Sequence, residues 1–203
     1  MTHSENTCQF RGEVCRNHRE ERNGHRAVTL WFTGLSGAGK STIAHAVEKR
    51  LFDMGLNVYT FDGDNVRHGL CGDLGFSPED RSENIRRIGE MTKLFMDAGV
   101  ICLCAFITPR HAIQERLRAM HAPGDFHLVF VDCPVEICEE RDVKGLYKLA
   151  REGKIKNYTG VSAPYEAPEA PELRLDTASE TEEQCTERVL AFLRERLDPA
   201  SAR

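Results

Sequence analysis

The residues best suited to chemistry form one short segment, residues 34–41, which reads Gly-Leu-Ser-Gly-Ala-Gly-Lys-Ser. This is the P-loop pattern, in which backbone N–H groups close around phosphate oxygens because glycines place no Cβ atom in the way. The lysine reaches the outer phosphates, and the hydroxyl that follows it coordinates Mg²⁺. We therefore predict a nucleotide site, with a glycine turn that binds nothing as the alternative. Its residues are Gly34, Leu35, Ser36, Gly37, Ala38, Gly39, Lys40, Ser41 and Thr42, with Ser41 as the metal ligand.

A second polar cluster follows the next apolar run and contains Asp62, Asp64 and Arg67. Phosphoryl transfer to a hydroxyl requires a carboxylate near the attacking oxygen and cations on the anionic partners. Either aspartate can supply the carboxylate, and Arg67 can supply the cation. An Asx turn with solvated charges is the alternative for this segment.

Arg81 and Asn84 stand three residues apart in a segment with a helical pattern, so they share one face of that helix. Together they offer hydrogen-bond donors suited to sulfate or phosphate oxygens. A solvated helix face is the alternative.

Strand and helix signals alternate around these residues. The pattern predicts strands at 28–33, 57–61, 100–107, 126–131 and 173–176. It predicts helices at 41–54, from Ser77 to Gly99, at 112–120, at 135–141, and from a cap at Ser179 and Glu182 to about Leu197. The fold class is therefore α/β: a P-loop, nucleoside-kinase-like, doubly wound parallel sheet of about five strands with helices on both faces. Residues 1–26 form an arm and 27–203 one domain, with an irregular lid at 142–172.

Composition excludes several function classes. The net charge of −5 over 203 residues argues against general nucleic-acid binding.

The eight cysteines contain no C-x-x-C pair and are predicted to be buried and reduced; Cys102 and Cys104 share one strand face. Cys8, Cys15, His18 and His25 fit no familiar metal spacing. The sequence has no signal-peptide layout, and its longest apolar run is too short to span a membrane. We expect a cytoplasmic protein.

Six segments together closely resemble the adenylylsulfate (APS) kinase family: 34–42, 62–70, 75–87, 144–148, 157–160 and 165–169. The likeness extends from about Gly24 to the last helix. It implies transfer of the γ-phosphate of ATP to the 3′-hydroxyl of APS, giving 3′-phospho-APS (PAPS) and ADP in sulfate assimilation. It also implies ATP and Mg²⁺ as cofactors, APS as the small-molecule partner, and a homodimer.

The resemblance assigns roles residue by residue. It implies catalytic roles for Lys40, Asp62, Asp64 and Thr108, and it places Arg141 and Thr177 near the ATP adenine. The residues that it places on APS are Asp64, Asn65, Arg67, Phe76, Arg81, Asn84, Ile107, Thr108, Lys144, Leu146, Asn157 and Tyr158. Phe76 and Tyr158 suit adenine because it offers a flat face for stacking.

The chain departs from the family pattern in two places. Thr108 stands where the family usually has serine. Threonine keeps a hydroxyl, so direct in-line transfer is unaffected, with a phosphothreonine intermediate as the alternative. His111 replaces a usual arginine, with Arg110 one position early. Two other functions are alternatives: a non-catalytic nucleotide-binding regulatory module of the same type, or another small P-loop metabolite kinase acting on gluconate or shikimate.

Overall fold

The fold consists of five strands and seven α-helices over residues 12–198, the part of the chain that the computed structural model describes. The strands are β1 (Thr29–Thr33), β2 (Val58–Asp62), β3 (Ile101–Ala105), β4 (Phe126–Asp132) and β5 (Leu173–Asp176). The helices are α1 (Arg16–Asn23), α2 (Lys40–Asp53), α3 (Pro78–Asp97), α4 (His111–Ala119), α5 (Val135–Arg141), α6 (Leu146–Arg151) and α7 (Glu182–Arg194). A single 3₁₀ turn, Asn65–His68, follows β2.

The sheet is parallel throughout, with the strand order β2-β3-β1-β4-β5. Strand β1 lies in the centre, and all five of its residues are buried because helices cover both faces of the sheet. This confirms the predicted doubly wound α/β architecture.

Two apolar cores lie on the two faces of the sheet. Alternate residues of β1 enter different cores because successive side chains of a strand point to opposite faces. Phe32 packs in the core that α2 and α7 cover, whereas Trp31 packs in the core that α3 and α4 cover. Cys102 and Cys104 lie together in the second core, as their alternation predicts.

The carboxyl ends of β1, β2 and β3 meet at one edge of the sheet, which is where ligands bind in such folds. The P-loop follows β1, the segment with the two aspartates follows β2, and Ile107 and Thr108 follow β3. The topology therefore gathers three segments that are remote in sequence.

Part of the predicted N-terminal arm is helical and docked. In α1, Arg16 donates to both carboxylate oxygens of Asp125 at 2.5 and 2.9 Å, and Glu20 accepts the backbone N–H of Ala27 at 2.7 Å. His25 is buried and accepts the N–H of Asn57 at 3.1 Å, which gives it a structural partner. Cys8 lies outside the described residues, and within residues 12–198 no three or more His, Cys, Asp or Glu side chains form a group that could hold a metal ion.

Two other boundaries differ from the prediction. The segment 142–172 is not irregular throughout, since it contains α6. Helix α7 is capped by Thr181 paired with Gln184 rather than by Ser179 and Glu182, and it ends at Arg194. The Ser179 hydroxyl instead donates to Asp176 at 2.9 Å. Among the described helices, none has the length and apolar character needed to cross a membrane.

Candidate active site

Glycine is required at two positions of the P-loop. Gly34 has φ +152° and a Cβ atom there would lie 2.4 Å from the carbonyl oxygen of Val131; at Gly37, with φ +79°, it would lie 2.9 Å from that of Cys138. Both glycines therefore let the loop approach β4 and α5 more closely than any side chain permits. The loop ends at the first turn of α2, whose N-terminal N–H groups favour an anion.

Lys40 is only 8% exposed, and its Nζ donates to the carbonyl oxygen of Leu35 at 2.7 Å. Burial lowers the pKa of Lys40 to about 8, and the nearby carboxylates of Asp62 and Asp64 oppose this effect. A cation held at such a desolvated position gains strongly from an anionic ligand, because the low dielectric strengthens their attraction.

Ser41 and Asp62 lie side by side at the edge of the sheet. The Ser41 hydroxyl donates to Asp62 Oδ2 at 2.5 Å, and Asp62 Oδ1 accepts the N–H of Asp64 at 2.9 Å. Asp62 is 8% exposed, so its carboxylate is largely removed from water. Hydroxyl and carboxylate oxygens are the ligands that Mg²⁺ prefers, and the pair therefore fits a magnesium site.

The two aspartates have different surroundings. Asp64 is exposed and forms an ion pair with Lys144, which lies between α5 and α6 in the segment predicted to be a lid. Asp62 contacts the P-loop, whereas Asp64 faces the lid. The sequence does not distinguish the two aspartates, whereas in the structure they have different partners.

Arg141 and Thr177, which the resemblance places near the ATP adenine, lie together against the P-loop. Arg141 donates to the carbonyl oxygens of Thr177 and Gly37 at 2.6 and 3.3 Å. The Thr177 hydroxyl donates to the carbonyl oxygen of Ala38 at 2.9 Å. These bonds hold the outer side of the loop.

A cluster of cations surrounds an exposed aromatic ring. The Arg67 guanidinium lies 4.3 Å from the ring centroid of Phe76, which is 66% exposed, and Arg81 lies 5.9 Å from the same centroid. Burial, and then the charge of Arg67, lower the pKa of Arg81. Two cations beside an open aromatic face can hold an aromatic anion such as a nucleotide.

Helix α3 also brings this cluster to the lid. Arg81 donates to Thr159 Oγ1 at 3.4 Å and to the carbonyl oxygen of Asn157 at 3.3 Å. Asn84 is 3% exposed, and its side-chain N–H₂ has no hydrogen-bond partner within residues 12–198. Since a buried donor without a partner is unfavourable, this amide marks a place where a ligand oxygen can bind.

Thr108 occupies a strained turn after β3. Its φ of +44° costs a β-branched residue about 1–3 kcal/mol, so the surroundings must hold it. It is 1% exposed, and its hydroxyl accepts the indole N–H of Trp31 at 2.8 Å. The indole can only donate, and the Thr108 hydroxyl therefore keeps its own proton for another acceptor.

The lid packs on the P-loop through tyrosines. The Tyr147 hydroxyl donates to the carbonyl oxygen of Ser36 at 2.9 Å, and the rings of Tyr147 and Tyr158 meet edge to face with centroids 5.1 Å apart. Leu146 begins α6 and packs against the core that α2 and α7 cover. The buried Tyr158 ring thus contacts Tyr147, whereas Phe76 presents an open ring.

Sequence reasoning missed several residues that shape the site, namely Trp31, Thr33, Gln114, Tyr147 and Tyr165. Trp31 is an apolar-looking residue of a buried strand, and its polar role depends on a hydroxyl 77 positions away. Only Tyr147 and Tyr165 gave a signal, since both lie in segments that carry the resemblance. Asp132 accepts from Arg174 at 2.5 Å, so its carboxylate has a partner on the neighbouring strand β5.

Known proteins resemble the chain over most of its length. A family model described as adenylylsulphate kinase matches residues 26–176. An adenylyl-sulfate kinase of Acaryochloris marina is 54% identical over 201 residues, covering 98% of each chain. One from Staphylococcus carnosus is 53% identical, covering 95% of this chain and 97% of its own. The APS kinase of Mycobacterium tuberculosis, solved in complex with AMPPNP and APS, superimposes with a TM-score of 0.80 at 44% identity, covering 83% of this chain and 98% of that one.

Proposed function

The chain belongs to the adenylylsulphate kinase family, and from that premise we propose that its site transfers the γ-phosphoryl group of ATP to the 3′-hydroxyl of APS. The products are PAPS and ADP, as in sulfate assimilation. One observation carries the proposal: a phosphate-binding loop with a buried lysine and a separate cluster of two arginines at an exposed aromatic ring are both contacted by the segment 142–172. The two parts suit a donor nucleotide and an acceptor nucleotide.

The donor nucleotide binds along the P-loop in this proposal. Lys40 lies against the outer phosphates, where its charge offsets the negative charge that develops during transfer. Arg141 and Thr177 fix the loop from outside and lie near the adenine. The Ser41 hydroxyl and the Asp62 carboxylate would hold Mg²⁺, which when bound neutralises phosphate charge.

The acceptor nucleotide binds against α3 and the lid. Phe76 stacks on the APS adenine, while Arg67, Arg81 and Asn84 donate to its anionic oxygens. Asn65, Ile107, Leu146, Asn157 and Tyr158 complete the contact surface. Thr108 retains a hydroxyl proton that it can donate to an acceptor oxygen. In this proposal the phosphoryl group passes directly to APS, and no phosphothreonine forms.

We assign different tasks to the two aspartates. Asp62 accepts from Ser41 and holds the metal, and Asp64 orients the 3′-hydroxyl and takes its proton. The ion pair between Asp64 and Lys144 supports this, because a lid that closes on the acceptor brings both groups to the transferred phosphate.

The decisive experiment is 3′-phosphorylation of APS by the purified protein, followed through the product nucleotide. A substrate panel with gluconate and shikimate distinguishes other small P-loop kinases. Binding of ATP and APS without PAPS formation would contradict the proposal and favour a regulatory module.

We also propose that the protein works as a homodimer in the cytoplasm. The resemblance supports the dimer, and the buried free cysteines Cys71, Cys102, Cys104, Cys133, Cys138 and Cys185 suit a reducing compartment. A molar mass near twice 22.9 kDa in light scattering would agree, and a monomer would not.

A further inference from the structure

The turn formed by Ile107 and Thr108 is held by residues that lie far along the chain. Thr108 adopts the left-handed region with φ +44°, which a threonine keeps only where its surroundings impose it. The segment 165–167, at the end of the lid, supplies several of these contacts. It belongs to one of the segments that carry the family resemblance, and no task in the proposed mechanism falls to it.

One chain of hydrogen bonds reaches the Ile107 carbonyl. The Thr33 hydroxyl donates to Ile107 O at 2.6 Å and lies 3.0 Å from the Tyr165 hydroxyl. Thr33 has a single hydroxyl proton, so Tyr165 is the donor in the second bond. Burial raises the pKa of Tyr165 and keeps this donor protonated.

Glu166 contacts the residues that follow the turn, Pro109 and His111. Its Oε2 accepts the His111 N–H at 2.8 Å at the start of α4, and its own N–H donates to Pro109 O at 2.9 Å. Gln114 joins both parts, since its Nε2 lies 3.1 Å from Thr108 O and 3.2 Å from Glu166 O.

The same glutamate contacts the place where this chain departs from the family order. Glu166 pairs with Arg110 at 3.3 Å, and His111 Nε2 lies 2.6 Å from the carbonyl oxygen of Ala167. Both residues of the Arg110-His111 pair are therefore engaged with the segment 165–167 instead of extending into the site.

We propose that Glu166 is a positioning residue, which fixes the Ile107–Thr108 turn in the conformation that the acceptor nucleotide requires. Its side chain acts through the His111 N–H and Arg110, whereas its backbone contacts Pro109 and Gln114. The inference rests on the proposed function, because that function places Ile107 and Thr108 on APS.

Trp31 provides a readout of the turn that does not depend on turnover. It is the single tryptophan of the chain, and its indole N–H donates to Thr108 Oγ1 at 2.8 Å. Loss of this bond changes the polarity around the indole and therefore shifts its fluorescence emission.

The test compares Glu166→Ala, Glu166→Gln and Glu172→Ala in the full chain. Glu172 is the matched control, since it also pairs with an arginine, Arg118, and accepts a backbone N–H, that of Leu128 at 2.7 Å. For Glu166→Ala we expect kcat/KM for APS to fall roughly tenfold to a hundredfold, as small misplacements of a reacting group do. KM for ATP stays unchanged, and Trp31 emission shifts. Glu166→Gln restores most of both because its amide oxygen still accepts the His111 N–H.

A purely structural role predicts another result. Glu166→Ala would then match Glu172→Ala, with a lower melting temperature but unchanged kcat/KM for APS and unchanged Trp31 emission, and this outcome would overturn the inference. Absence of PAPS formation by the wild-type protein would contradict the proposed function and the acceptor role with it. The emission of Trp31 separately shows whether Glu166 holds the turn.

Discussion

The proposed donor half of the site, made by residues 34–41 with Asp62, differs in construction from the proposed acceptor half, made by residues 64–76, α3 and the lid. In the donor half, buried side chains bond to the backbone, as Lys40 does to Leu35 O. Gly34 and Gly37 are required there because the backbone of the loop closely approaches other backbone atoms. In the acceptor half, partly exposed side chains contact one another across segments, as Arg67 does Phe76. A site built from backbone groups is preorganised. In our proposal, the site built from partly exposed side chains is completed when the lid closes.

The largest expected effect comes from a substitution in the donor half. Lys40→Ala should lower kcat by about 10³-fold, because it removes a charge held in a desolvated position where phosphate charge develops. Lys49→Ala on the same helix is the control, since that lysine is exposed and pairs with Asp53. Initial rates of PAPS formation measure both. A Lys40→Ala enzyme as active as the control would show that the donor half does not work as described.

The next effect tests the division between the two aspartates. Asp62→Asn should lower activity about 10²-fold or more and raise the Mg²⁺ concentration needed for half-maximal rate, because Asp62 bonds to Ser41. Asp64→Asn should lower kcat to a similar extent without changing the Mg²⁺ requirement. Titration of Mg²⁺ at saturating ATP and APS distinguishes them. Identical Mg²⁺ curves for the two variants would remove the distinction.

A smaller effect is expected from the acceptor half. Arg81→Lys should raise KM for APS about tenfold and leave KM for ATP unchanged, since a lysine cannot reproduce the planar contacts to the lid and to Phe76. Arg86→Lys is the matched control on α3, because Arg86 pairs with Glu83 away from the cluster. An equal rise in both KM values for Arg81→Lys would mean that the two halves are not separate.

The effect that is smallest near neutral pH is a pH dependence confined to the donor half. Burial lowers the pKa of Lys40 to about 8, so the charged form that binds phosphate is present below pH 8 and is lost above it. We expect kcat/KM for ATP to fall about tenfold for each pH unit well above 8, while KM for APS changes less. Profiles from pH 6 to 10 test this, and a flat ATP profile through pH 9 would contradict it.

The donor half could be predicted almost completely from the sequence. Its residues are contiguous, and the apolar run before the loop together with the helical pattern after it indicate the strand and helix that position it. The five strands were predicted for the same reason, with boundaries that differ by one or two residues at most ends. The cap of α7 was wrong because Ser179 and Thr181 both suit a cap, and Ser179 is used by Asp176.

The acceptor half could be predicted only as a set of residues: Arg67, Arg81 and Asn84 from their types and spacing, and the others through the family resemblance. Nothing in the spacing of Arg67, Phe76 and Arg81 indicates that two guanidinium groups share one ring. Likewise, α6 was missed because its 6 residues are too few for a helical pattern to stand out in a polar segment.

The sequence by itself determined the fold class and the phosphate loop, because each of these depends on neighbours within a few positions, and it supplied candidates for the other site residues. Only the tertiary structure decided which aspartate joins Ser41, which joins the lid, and that Trp31 and Glu166 hold the Thr108 turn. These contacts join residues that are 21 to 80 positions apart in the sequence. Their geometry is fixed by the order of strands in the sheet, which no local pattern of residues records.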